Sequence, residues 1–227
     1  IPFLDKHMKR LWEGAKALDL DIGLTRTELK QRLYDTLDAN GMEDHVHIRL
    51  MVSRGVKATP YQDPAVTIGG PTIVIIPEYK NPDPTLNDRG VNLYTVYVRR
   101  GYADVQDPRI NSHSTLNCIF GCIQAAKAGA DEALMLDPHG HVATCNSTHF
   151  FIVRDGEVWT STGDYCLDGI TRATVITLAE ELGYEVIEKR ITRDEVYVAE
   201  ANILLGPISV VIINAIKLGD ATIDDLD

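Results

Sequence analysis

Between Gly163 and Gly183 the chain reads GDYCLDGITRATVITLAEELG. Small and polar residues run through Leu167, Asp168, Gly169, Ile170 and Thr171. A helical spacing of Val175, Ile176, Leu178, Ala179 and Leu182 follows, and Gly183 closes it. A Gly and then a Thr at a helix start leave backbone N–H groups open and add a hydroxyl. They also aim the positive end of the helix dipole outward. That chemistry suits an anion, phosphate above all. The same residues suit an ordinary capped helix with Thr171 as the cap, and caps are far commoner than phosphate sites. Residues alone leave both uses open.

Other reactive side chains are sparse. Cys118, Cys122, Cys145 and Cys166 form no CxxC pair and are not spaced like a zinc site, so no metal centre is expected. Cys118 and Cys122, one helical turn apart, read as core packing within a chain of reduced, mostly buried thiols. That usage points to the cytoplasm.

These residues need elements to hold them. The 227 residues are 44% hydrophobic, enough for one large domain or two small ones with real cores. A net charge of −11 with no basic run argues against nucleic acid or an anionic membrane surface as partner. The longest apolar runs, Ile73–Ile76 and Val210–Ile213, are too short to span a bilayer and read as buried strands.

An amphipathic helix is predicted over Asp5–Leu18, and a second after the Thr25–Glu28 capping-box spacing, with Gly41 as its stop. HVHIRLMVS alternates as a strand, with Val46, Ile48, Leu50 and Val52 on one face and His47, Arg49, Met51 and Ser53 on the other. TIVIIPEY and VNLYTVYVRRG read as further strands of a first unit over residues 1–103. Residues 104–116 read as an interdomain loop, and residues 117–227 as a larger second unit. In that unit Asp155-Gly156 marks a hairpin turn and Thr192–Ala199 a short helix. The start IPFLDKHMKRL and the end LGDATIDDLD suggest a fragment lacking its first strands and its C-terminal end.

The words GADEALMLDPHG, then NSTHFFIVRDGEVWT, then CLDGITR resemble the class IV (fold type IV) pyridoxal-phosphate enzymes. That family includes branched-chain and D-amino-acid aminotransferases and aminodeoxychorismate lyase. The resemblance runs from about Phe3 to Ile223 and implies a two-domain α+β fold. It implies pyridoxal 5′-phosphate as cofactor, with its phosphate on Leu167, Gly169, Ile170 and Thr171 and on Arg10 of the word HMKRL. It places the cofactor ring near Asn117 and Thr144, and the substrate carboxylate on Arg49 of HIRL. A planar guanidinium suits a carboxylate, although a surface ion pair is an equal use for Arg49. The implied activity is transfer of an amino group between a small amino acid, branched-chain ones among the candidates, and a 2-oxo acid, in a homodimer. A lyase of the aminodeoxychorismate type is a variant.

The resemblance has three departures. The family's Schiff-base Lys should lie just upstream of a helix beginning with Asn. Here the chain reads NSHSTLN, so Ser114 and Thr115 hold the slot. Three accounts stand open: a relative that no longer catalyses and serves as a binding or scaffold protein, a substitution at the Lys, or a cofactor-modified lysine lost from the written chain. The position that should carry a Glu facing the ring nitrogen is Thr144, which supplies no charge. The late Gly-Thr phosphate contact is Gly206-Pro207 here, and Pro has no N–H to give.

Overall fold

The computed structural model describes residues 1–81, 83–85, 90–205 and 210–217. It divides into two compact units, Ile1–Asn81 and Pro82–Asp227.

In the first unit, helices α1 (Leu4–Ala17) and α2 (Arg26–Ala39) pack on the hairpin of β1 (Val46–Ser53) and β2 (Thr72–Tyr79). The predicted capping box forms: Thr25 Oγ1 accepts from the Glu28 N–H, and the Glu28 carboxylate accepts from the Thr25 N–H. That backbone bond holds the Glu28 carboxyl below its usual pKa. Met8, Ala15, Leu29 and Leu33 form the core against Ile48, Leu50, Val52, Ile73 and Ile75. The alternation expected for β1 is therefore real. Ile73–Ile76, however, is not buried throughout: Ile73 and Ile75 face the core, while Val74 and Ile76 are exposed because only one face of this hairpin is covered.

The second unit begins earlier than the expected boundary at 103. Strand β3 (Val91–Thr95) lies inside its sheet, between β4 (Glu132–Leu136) and β10 (Val210–Lys217). The pattern of VNLYT identified a buried strand correctly, but burial alone does not say in which sheet. The stretch expected as a loop carries a short helix, α3 (Ala103–Gln106), ahead of α4 (Leu116–Lys127). The remaining strands are β5 (Val142–Cys145), β6 (His149–Arg154), β7 (Glu157–Thr160), β8 (Val186–Glu188) and β9 (Ala201–Leu205). Helix α5 (Ile170–Glu181) precedes β8, and α6 (Arg193–Tyr197) precedes β9.

The eight strands lie in the order β5-β4-β3-β10-β9-β6-β7-β8. The β3–β4, β3–β10 and β7–β8 pairs are parallel, and the others antiparallel. One core holds Leu93, Leu134, Leu136, Phe150, Ile152 and Leu204. Val96, Ala125, Ala133 and Met135 form a second. Gly121 lets α4 approach β4, since a Cβ there would stand 3.3 Å from the Met135 sulfur. Asp155 and Gly156 both have positive φ, 53° and 79°, as a two-residue hairpin turn between twisted strands requires.

Cys145 and Cys166 are buried, and burial pushes both thiols up. Cys122 is exposed, against the expectation of core packing, because α4 turns that side away from the sheet. No helix among the described residues is long and apolar enough to cross a membrane.

Candidate cofactor site

Helix α5 starts at Ile170 behind Gly169, whose φ of −77° and ψ of 127° are those of an N-cap. No side chain caps this start, so Thr171 is not the capping residue that one reading of the sequence allowed. The first intrahelical bond runs from the Ala173 N–H to the Gly169 carbonyl at 3.0 Å. The N–H groups of Ile170, Thr171 and Arg172 stand ahead of it with no intrahelical acceptor. They point where the helix dipole is positive. Beside this turn lies a cavity of about 200 Å³, lined among others by Arg109, Thr162, Cys166, Leu167, Asp168 and Arg172.

Two contacts tie Asn117 and the neighbour of Thr144 to the loop before the turn. Ser161 Oγ donates to the Ala143 carbonyl at 2.7 Å, tying the loop to the residue before Thr144. Arg100 bridges the start of α4 to the same loop. Its Nη1 donates to Asn117 Oδ1 and to Cys118 Sγ, each at 3.0 Å, and its Nε donates to the Tyr165 carbonyl at 3.1 Å. Asn117 is engaged on both sides of its amide, because its Nδ2 also donates to the Arg99 carbonyl at 2.8 Å. Its visible role is to fix the start of α4. Thr144 is buried and its hydroxyl proton goes to the Thr148 carbonyl at 2.9 Å, leaving only oxygen lone pairs for a further partner. Arg10 lies on α1 and Arg49 on β1 of the first unit, the latter exposed opposite Ile76. Gly206 and Pro207 fall outside the described residues.

Arg172 and His149 were not singled out by the sequence. Arg172 is buried, with Nε 3.1 Å from His149 Nε2 and Nη2 2.7 Å from the Ser161 carbonyl and 2.5 Å from Glu188 Oε2. An arginine Nε–H only donates, so in this contact His149 Nε2 accepts; the same nitrogen lies 2.8 Å from Thr160 Oγ1, which is itself 2.8 Å from the Phe150 carbonyl. Burial first, and then the Arg172 charge, hold His149 down to about 3. A signal existed for Arg172: it follows Thr171 directly, on the third residue of the helix.

Residues 1–216 match the family described as amino-transferase class IV. The chain belongs to the class IV aminotransferases. It is 39% identical over 197 residues to the branched-chain-amino-acid aminotransferase-like protein 2 of Arabidopsis thaliana, covering 87% of this chain and 35% of that one. It thus spans about a third of that relative's length. To the putative branched-chain-amino-acid aminotransferase of Methanocaldococcus jannaschii it is also 39% identical, covering 89% of this chain and 69% of that protein. The branched-chain amino acid aminotransferase of Thermobaculum terrenum, solved in its PLP form, superposes with a TM-score of 0.80 at 28% identity, covering 94% of this chain and 69% of that one. The fold is therefore fold type IV.

The class IV aminotransferase cofactor fits this site in one part and not in another. The open N–H groups at the start of α5 suit its phosphate. The segment that leads into α4, residues 110–117, contains no lysine. Thr115 is the N-cap there, and Ser114 Oγ lies 3.4 Å from Gln106 Oε1. Lys127 is at the far end of α4, roughly 18 Å away along the axis. Lys189 is held by Glu195 at 2.9 Å and lies over the Trp159 ring.

Proposed function

We propose that the protein is a pyridoxal-phosphate-dependent aminotransferase, acting between a small amino acid, branched-chain ones included, and a 2-oxo acid. The observation that carries this reading is the uncapped start of α5 on the Gly169-Ile170-Thr171 turn, in a chain of this family. The names of the relatives support the substrate class. Bound pyridoxal phosphate would supply an electron sink for the substrate's α-carbon. Leu167, Gly169, Ile170 and Thr171 would hold its phosphate, joined by Arg10. Thr144 would offer the ring nitrogen an uncharged oxygen, with Asn117 behind it. Arg49 would take the substrate carboxylate through two parallel hydrogen bonds.

The same reading includes a homodimer in the cytoplasm. Leu116, Ile119, Phe120 and Ile123 lie at helical spacing on α4 and are all exposed, an apolar stripe suited to a second copy. The four free thiols agree with a reducing compartment.

One observation favours a second reading. With hydroxyls in the Ser114–Thr115 slot, the chain is also suited to binding the phosphorylated cofactor without transferring an amino group. Both readings are tested by incubating the protein with pyridoxal phosphate, reducing with borohydride, and mapping adducts by mass, beside an amino-transfer assay. Transfer with a reduced adduct on a lysine supports the aminotransferase. Phosphate-dependent binding with neither adduct nor transfer supports the second reading.

A further inference from the structure

We propose that Arg172 is the positioning residue of the phosphate turn, acting from beneath it. This rests on reading Ile170 and Thr171 as a phosphate cradle. The start of α5 has no side-chain cap, so the turn does not fix itself. The fixing group is the buried guanidinium of its third helical residue. Its acceptors lie on three separate segments: His149 on β6, the Ser161 carbonyl just after β7, and Glu188 on β8.

The loop from Ser161 to Gly169 is folded over that guanidinium. Gly163 has φ of +88°, and a Cβ there would stand 3.7 Å from Arg172 Nη2. At the other end of the loop, a Cβ on Gly169 would stand 3.4 Å from the Arg172 Cβ. Both ends of the loop therefore rest on one side chain. Its acceptors are well chosen for a buried cation. Glu188 supplies the opposite charge, and neutral His149 supplies a lone pair without adding a second positive charge. A cation held this way lets the backbone N–H groups of Ile170 and Thr171 face an anion in fixed directions, so little ordering remains to be done on binding.

The test compares wild type with Arg172→Lys and Glu188→Gln. Pyridoxamine 5′-phosphate and pyridoxamine are titrated calorimetrically, and Tm is recorded for each variant. Neither ligand carries an aldehyde, so lysines elsewhere cannot trap it. The readout is the ratio of the two affinities, which isolates the phosphate. Positioning predicts that both variants lower this ratio about tenfold while pyridoxamine affinity holds. A lower Tm with the wild-type ratio retained would assign Arg172 a purely structural role and overturn the proposal. Should Arg172→Lys fail to fold, Glu188→Gln, which keeps the shape of its side chain, decides alone. A wild-type ratio near one would instead remove the phosphate cradle itself, and the proposal with it.

Discussion

The Nε of Arg172 donates to Nε2 of His149 at 3.1 Å, so a buried cation rests against a neutral imidazole. His149 should therefore stay neutral in the folded protein down to a pH of about 3. In the unfolded chain it takes a proton near its ordinary value of 6.5. Between those values the unfolded state binds more protons, so stability present above pH 6.5 is lost as pH falls toward 3. The loss from this group is at most about 5 kcal/mol. Urea midpoints from pH 7 to 4 for wild type and His149→Gln check it. The variant should show the shallower decline, and an equal decline would contradict the assignment.

Thr171 gives a second prediction. A capping threonine replaced by alanine costs about 1 kcal/mol. Thr171 caps nothing, so Thr171→Ala should shift stability by less than about 0.5 kcal/mol. If its hydroxyl meets a phosphate, affinity for pyridoxamine 5′-phosphate should drop roughly tenfold. Thermal melts and calorimetry separate the two effects, and a large loss of stability with affinity intact would return Thr171 to an ordinary helix role.

The thiols should react in a fixed order. Cys122 is exposed, whereas Cys145 and Cys166 are buried with raised pKa values. Iodoacetamide at mildly alkaline pH should label Cys122 first and leave Cys145 and Cys166 unmodified until the protein unfolds. Peptide mass mapping reads the order. Early labelling of Cys166 would mean that the loop over Arg172 opens.

Thr115 is exposed at the N-cap of α4 and makes no capping hydrogen bond, so a longer side chain fits there at small cost in stability. Thr115→Lys should place an amine at this end of the helix. After pyridoxal phosphate and borohydride, a reduced adduct should appear in the peptide spanning Arg109 to Lys127 of the variant and not of wild type. No adduct in the variant would show that the cofactor ring does not come near this helix start.

Local chemistry was legible in the sequence wherever a few adjacent residues decide it. Thr25 and Glu28 announced their capping box, Asp155-Gly156 its turn, and Gly169-Ile170-Thr171 its helix start. The partners of β3 were not legible, since an alternating apolar strand fits any sheet that buries it. The roles of Arg100 and Arg172 were also hidden. Each is one polar letter in a local pattern, and each acquires meaning from acceptors far away in the chain, such as Tyr165 for Arg100 and Glu188 for Arg172. Asn117 was picked out as a residue of this region, but its amide is spent on Arg99 and Arg100, which no spacing could reveal.

Strand β10 has a consequence for how the protein is made. It stands between β3 and β9, so among the described strands the hydrogen-bonded ladder of β5-β4-β3 on one side is continued into that of β9-β6-β7-β8 on the other through it. It is also the last of the described strands to leave the ribosome. Until it emerges, β3 and β9 each present an open edge of unpaired backbone groups, as templates for pairing with another nascent chain. A stalled or prematurely terminated product would carry two half-sheets and no keystone. The cell would meet such a product as a substrate for chaperones and proteases well before it met it as a cofactor-binding protein.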